Sequence, residues 1–279
     1  MRISFSSGTF YHRGVGYSLR LARELGYDGV ELALGWDYMR GGVPAVERAL
    51  RREGGAILSV HPPFLALPGW PRDVPTRLQR LVSTSREVGA GILVLHVPFL
   101  WGEDSPRAIR YTQLLEWSRA QAGGDVRICL ENGEHRNRRP RFLLDDLGTL
   151  VRFAQDRGCG VTYDTCHVGA NGEDILRGYE IVRPALANVH LSDLIWSEDG
   201  IETHVAPGKG TLPLRELLSM LARDGYDGLV TLEIHPRQVG LFNGVRHRRV
   251  LADALAFVRD ALGTAAPLAI ANEHGRVSV

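Results

Sequence analysis

Short apolar runs alternate with amphipathic stretches along most of the chain. Eight of these runs suit buried β-strands, and they begin at Arg2, Gly29, Ala56, Gly91, Val126, Gly160, Leu186 and Leu229. The stretches between them have helical periodicity, and several end at a glycine, as helices commonly do. Strands that are apolar on both faces and alternate with helices indicate parallel pairing through βαβ units.

Eight βα units in one chain favour a closed barrel over an open sheet. The runs are evenly spaced through the 279 residues, so the sequence indicates no second domain. We therefore predict an α/β protein with a single (β/α)8 TIM barrel over residues 1–263 and an active site at the C-terminal ends of the strands. Residues 264–279 lack clean periodicity and are predicted to form a loosely ordered tail.

Carboxylates and imidazoles occur at or just after most of the predicted strand ends, which meet at one mouth of a closed barrel. These residues are Glu31, His61, His96, Glu131, Asp164, His167, His190, Asp193 and Glu233, with Glu202 and His204 in the loop after the seventh strand. A single histidine at such a position is more often a hydrogen-bonded rim residue than a ligand. The whole group indicates a metal site, because unpaired buried carboxylates are costly and Asp, Glu and neutral His are ordinary ligands of divalent metals.

His167 and Glu31 differ from the other residues of this group in how they relate to the strands. Residues three apart on a straight strand face opposite ways, so His167 is expected to lie past the strand that ends at Asp164, turned back over the mouth. Glu31 is equally compatible with an added polar contact at the site and with a structural salt bridge.

Composition narrows the classes of function. The formal net charge of +1 predicts neither a nucleic-acid footprint nor attraction to an anionic membrane surface. Three cysteines without a CxxC pattern fit a reducing compartment, and the sequence shows neither a signal peptide nor an apolar stretch of about 20 residues. We therefore expect a cytoplasmic protein with no membrane partner.

The motifs "GYDGVEL", "DTCH", "HLSD" and "TLEIHP" resemble those of the xylose isomerase-like barrel superfamily, which contains sugar isomerases, epimerases and endonuclease IV. The resemblance implies one divalent metal (Mn, Mg, Co or Zn) held by Glu131, Asp164, His190 and Glu233. It also implies an isomerase or epimerase of a small sugar, sugar phosphate or polyol that moves a proton next to a metal-bound carbonyl. Glu131 and Glu233 would then be the catalytic residues, carrying the proton on opposite faces of the substrate.

The alternative is an endonuclease IV-like phosphodiesterase that hydrolyses apurinic/apyrimidinic sites with two or three zinc ions. The resemblance then assigns further metals to His61, His96, His167, Glu202 and His204, although glutamate stands at position 202 where that family has aspartate. Nucleic acid would be a partner only in this case. The sequence "ETHVAPGKG" resembles the isomerase and epimerase branch more closely. A homo-oligomer is possible under either reading.

Four residues are predicted to contact substrate: His167, Asp193, Lys209 and Phe64. Lys209 is the only lysine and lies between two glycines, so it is either a contact for a phosphate or carboxylate in the mouth or an exposed loop residue. Phe64 follows "HPP" and fits a lid over a small ligand better than a wedge into DNA. A sugar-binding barrel without chemistry is a third class, and the nearly full ligand set argues against it.

Overall fold

The computed structural model describes residues 1–64, 67–136, 141–198 and 200–263. Ten strands are present in these ranges: β1 (Arg2–Ser6), β2 (Gly29–Ala33), β3 (Ile57–His61), β4 (Ile92–His96), β5 (Arg127–Glu131), β6 (Gly160–Asp164), β7 (Leu186–Leu191), β8 (Asp193–Ser197), β9 (Gly200–Val205) and β10 (Leu229–Leu232). Eight of them close into a barrel in the order β1-β10-β7-β6-β5-β4-β3-β2, and every neighbouring pair is parallel. The predicted single (β/α)8 barrel is confirmed.

Helices cover the outside of the barrel: α1 (Val15–Leu25), α2 (Trp36–Glu53), α3 (Val74–Glu87), α4 (Pro106–Ala122), α5 (Leu147–Asp156), α6 (Thr165–Ala170), α7 (Ile175–Val182), α8 (Leu214–Arg223), α9 (Pro236–Val239) and α10 (Gly244–Ala261). Three short 3₁₀ segments accompany them, at Ser7–Phe10, Leu143–Asp145 and Arg183–Ala185. No helix within the described ranges is long and apolar enough to cross a membrane.

The barrel strands are buried on both faces, as their continuous apolar runs predict. Every residue of β2, β3, β6 and β7 is buried. Some polar side chains inside the barrel bind one another: Ser4 Oγ lies 2.9 Å from Thr231 Oγ1, which donates to Asn188 Oδ1 at 3.1 Å. Polar side chains are thus accommodated within the barrel when hydrogen-bonded across strands.

The sequence did not predict the antiparallel hairpin of β8 and β9, which follows β7. Its residues were assigned to the end of the seventh strand and to a loop. The hairpin lies outside the barrel sheet and returns the chain over the mouth. The predicted tail at 264–279 lies outside the described residues and stays a prediction.

Candidate metal centre

Four side chains from neighbouring strands converge at the mouth of the barrel. Glu131 ends β5, Asp164 ends β6, His190 lies on β7, and Glu233 follows β10 directly. One ligand atom from each lies within 4.8 Å of the corresponding atom of the other three. The arrangement follows from the strand order, because β5, β6, β7 and β10 are consecutive in the barrel. The four residues are between 0% and 7% exposed.

The hydrogen bonding of this cluster fits a divalent cation. Glu131 Oε2, Asp164 Oδ2 and Glu233 Oε1 are buried, and none of them makes a well-aligned hydrogen bond among the described residues, although His96 Nε2 lies 3.2 Å from Glu131 Oε2. Leaving even one buried polar atom unsatisfied costs about 1–3 kcal/mol, and a charged one costs more. Three carboxylates facing a single imidazole also leave uncompensated negative charge. A divalent metal resolves both, since these oxygens and an imidazole nitrogen are its usual ligands.

His190 is held on both sides of its ring. Its Nε2 lies 3.1 Å from Glu31 Oε2, and its Nδ1 lies 2.9 Å from Glu131 Oε1. Glu31 is fully buried and accepts a second hydrogen bond from Ser59 Oγ at 2.9 Å. With Nε2–H donated to Glu31, the Nδ1 lone pair faces the other three residues of the cluster. A carboxylate behind a ligating histidine fixes its tautomer and ring orientation and makes it a better ligand.

The charged groups at the centre, together with burial, shift one another's pKa values. Burial on its own lowers the pKa of His190, but the carboxylates of Glu31, Glu233 and Glu131 outweigh it and raise the pKa well above its usual value. Burial raises the pKa of Glu131, yet the charge and hydrogen bond of His190 bring it well below the usual range. The pKa of Glu233 is raised by burial and by its carboxylate neighbours, with His190 offsetting part of that effect.

A second group of ligand atoms adjoins the first through Glu131. His61, at the end of β3, and His96, at the end of β4, place their Nε2 atoms 3.5 Å and 3.2 Å from Glu131 Oε2. His61 is buried and its Nδ1 lies 2.7 Å from the carbonyl oxygen of Pro62, which leaves Nε2 toward the cluster. His96 is exposed, with 55% of its side chain accessible.

A third group consists of Asp164, His167 and His204. His167 lies on α6, past the end of β6, as the sequence predicted, and its backbone N–H donates to Asp164 Oδ1 at 2.8 Å. His204 comes from β9 and has a positive φ of 52°, an uncommon conformation for a residue other than glycine. Its backbone N–H is bound to Cys166 Sγ, and its Nδ1 lies 3.6 Å from Glu233 Oε2.

Sequence reasoning missed the role of Asn132, the residue after Glu131. Its side chain exchanges two hydrogen bonds with the backbone of Asp164, one at 3.0 Å and one at 2.8 Å. Its carbonyl oxygen lies 2.8 Å from His167 Nδ1. Asn132 therefore positions two candidate ligands that belong to a different strand and helix. The only sequence signal was its place next to Glu131.

The structure does not bring all the predicted residues to the centre. Glu202 is exposed and accepts a hydrogen bond from Gln238 at 2.6 Å, and the ligand groupings found among the described residues do not include it. Lys209 is exposed and is not among the described residues that line the cavity beside Glu233. The carboxylate of Asp193 is occupied by the protein's own backbone: its oxygens accept N–H bonds from Leu194, Gly208, Gly210 and Leu212.

Phe64 covers the centre from the loop after β3. Its ring stacks on His61, with centroids 4.3 Å apart and an interplanar angle of 18°. The ring also lies against Gly8, where a Cβ atom would come within 2.3 Å of it. Glycine at position 8 therefore makes room for the ring, and the lid role of Phe64 stays a prediction.

A barrel with this strand order and with acidic and imidazole side chains gathered at its mouth defines the class of protein. The chain belongs to the xylose isomerase-like TIM barrel family, whose model matches residues 19–264. The predicted family resemblance is confirmed.

Three similar proteins, described next, are 16% to 27% identical to this chain in sequence. An uncharacterized protein of Mycobacterium tuberculosis is 27% identical over an alignment of 281 positions, gaps included, which covers 93% of this chain and 97% of that protein. Fructoselysine 3-epimerase of Shigella flexneri is 24% identical over 243 residues, 79% of this chain and 85% of that enzyme. The solved structure of the IOLI protein with a zinc atom has a TM-score of 0.70 at 16% identity, covering 96% of this chain and all of that one (100%).

Proposed function

We propose that this protein is a divalent-metal-dependent isomerase or epimerase that acts on a small sugar or sugar derivative. The observation that carries the proposal is the buried cluster of Glu131, Asp164, His190 and Glu233, in which three carboxylate oxygens make no well-aligned hydrogen bond among the described residues. Family membership supports it, and so does the likeness to fructoselysine 3-epimerase. The IOLI protein, which has a similar fold, binds a zinc atom, and this supports a metal ion in this protein as well.

When bound, a divalent cation would polarise a substrate carbonyl and its neighbouring hydroxyl and so lower the pKa of the carbon-bound proton. Glu131 and Glu233 then have the proton-transfer role. They belong to β5 and to the end of β10, with β6 and β7 between those strands, so their carboxylates approach a substrate from two sides. In an epimerase, one carboxylate takes the proton from carbon and the other returns a proton to the same carbon on the opposite face. In an isomerase, a proton is returned to the neighbouring carbon, and the hydroxyl proton moves to the former carbonyl oxygen.

Other side chains of the chain hold this arrangement. Glu31 orients the imidazole of His190, and Asn132 fixes the backbone of Asp164. His61, His96 and His167 surround the centre and are proposed to bind substrate hydroxyl groups. Phe64 would exclude water above the reacting carbon.

Substitution of the two glutamates tests the proposal. Glu131→Gln and Glu233→Gln should abolish incorporation of solvent deuterium next to the carbonyl of a ketose such as D-fructose, D-tagatose or D-psicose, measured by NMR on manganese-loaded protein. Both should also retain less metal, because each loses a ligand charge. Glu116→Gln, an exposed carboxylate on α4, is the matched control. Exchange at the wild-type rate in both site variants would refute the assignment.

A second candidate function rests on the adjoining ligand groups. His61 and His96 share Glu131 with the main cluster, and His167 and His204 share Asp164 with it, as a multi-zinc phosphodiesterase would require. The outward position of Glu202 removes one carboxylate that this alternative needs. Measuring the bound metal separates the two functions. About one metal ion per chain supports the isomerase or epimerase. Two or three equivalents, together with nicking of an abasic-site duplex that is lost in His61→Ala and His96→Ala, would support the hydrolase.

A further inference from the structure

A cavity of about 430 Å³ opens beside Glu233, on the side of the mouth away from Glu131. The loops that follow β1, β2, β3 and β10 line it, and those strands are consecutive in the barrel. The candidate metal cluster comes from β5, β6, β7 and the end of β10. The cavity and the cluster share Glu233, and His204 also lines the cavity. A substrate held next to Glu233 therefore has room to extend over β1 and β2.

The wall of this cavity is mostly apolar. The apolar side chains that line it include those of Tyr11, Leu34, Trp36, Leu67, Ile234 and Leu241. Tyr11, Trp36 and Leu241 are 40%, 39% and 42% exposed, so their surfaces are open to a ligand. Leu34 and Ile234 are 2% exposed and form the floor.

Three polar groups along the wall, on Thr9, Ser6 and His235, are engaged within the protein. Thr9 Oγ1 donates to the carbonyl oxygen of Ile234 at 2.9 Å, and Ser6 Oγ accepts from the backbone N–H of Gly8 at 3.3 Å. His235 Nδ1 accepts from the backbone N–H of Arg237 at 3.1 Å, and the Arg237 side chain is exposed at the edge. A sugar hydroxyl buried against the apolar part of this wall, at Leu34, Ile234 and Leu241, would lose water without gaining a partner, whereas an apolar group gains by burial.

We propose that the substrate is a sugar conjugate whose apolar, preferably aromatic, substituent binds in this cavity against Tyr11 and Trp36. The inference rests on the proposed function, because it places the sugar at the metal cluster next to Glu233. Aromatic faces on the wall favour a planar ring in offset or edge-on contact. The cavity thus favours conjugates that carry such a ring and keep a carbonyl for the metal cluster, keto-sugar glycosides among them, over free sugars and over sugar phosphates.

Equilibrium binding to the manganese-loaded protein tests the proposal. Phenyl β-D-glucopyranoside, methyl β-D-glucopyranoside and glucose 6-phosphate are titrated by calorimetry. Burial of the phenyl ring should make the first probe bind at least about tenfold tighter than the methyl glycoside. Trp36→Ala should reduce this preference to within about twofold. Trp117→Ala should keep it, since Trp117 is equally exposed, at 38% against 39%, but lies on α4 away from the cavity.

Leu241→Asp is a second variant at the rim of the cavity, and its added charge should also remove the preference for the phenyl group. Equal binding of the phenyl and methyl glycosides would overturn the proposal. So would tightest binding of glucose 6-phosphate, or a preference that survives in both Trp36→Ala and Leu241→Asp. Metal content and deuterium exchange are measured on the same preparations. If the phenyl glycoside binds preferentially but no deuterium is exchanged, the ligand class stands and the isomerase or epimerase proposal is refuted. The two proposals can therefore fail separately.

Discussion

Glu31→Gln tests whether the carboxylate behind His190 tunes the candidate metal centre. Glutamine keeps the size of the side chain and removes only its charge. In the native protein Glu31 Oε2 lies 3.1 Å from His190 Nε2 and accepts from Ser59 Oγ at 2.9 Å. A glutamine carbonyl oxygen at the same place preserves both contacts. We expect the variant to fold and to bind a divalent metal more weakly, because the imidazole loses a negative partner.

The size of the effect follows from the kind of hydrogen bond that changes. A buried hydrogen bond to a charged group contributes about 1.5–3 kcal/mol, and one between neutral groups about 0.5–1.5 kcal/mol. The difference of about 1–1.5 kcal/mol corresponds to a loss of about tenfold in metal affinity. Glu31→Ala also removes the acceptor and should approach the upper end of the 10- to 100-fold range seen for partners of metal ligands.

The assay is a competition titration of Mn²⁺ against a chelator of known affinity at constant pH. Glu116→Gln on α4 controls for loss of a carboxylate elsewhere, and circular dichroism checks the fold. A dissociation constant for Glu31→Gln within twofold of wild type would show that the contact with His190 is only structural. A loss as large as that of Glu131→Gln would also refute the reasoning, because it would make Glu31 a direct ligand.

Substitutions at three further positions test the packing and the limits of the site. Gly178→Ala should destabilise the protein by about 1–3 kcal/mol in urea unfolding, because the new Cβ would come within 2.4 Å of the buried Tyr163 hydroxyl; an equal loss in a Tyr163→Phe background would contradict this. Asp193→Ala should cost at least about 2 kcal/mol by the same measurement, because four backbone N–H groups lose their acceptor, and an unchanged unfolding midpoint would show that the loop holds without it. Lys209→Arg and Lys209→Met should both match wild type in kcat/KM, because the side chain is exposed; failure of both would place Lys209 in the substrate site after all.

Much of this protein is determined by local sequence pattern. Continuous apolar runs separated by amphipathic helices require strands buried on both faces, and eight evenly spaced units favour the closed barrel over an open sheet. Once the barrel is assumed, Glu131, Asp164 and His190 must meet, because each ends or nearly ends a strand. Their convergence was therefore predictable without coordinates.

Other features depend on which side chains meet across the closed barrel. The contact between Glu31 and His190 joins residues 159 positions apart, and only barrel closure decides that Glu31 lies behind the imidazole. The hairpin of β8 and β9 decides that His204 turns toward the centre while Glu202 turns outward to Gln238. The apolar cavity exists because loops after four different strands meet beside Glu233. No periodicity along the chain encodes these contacts, since each one is set by the relative placement of distant segments.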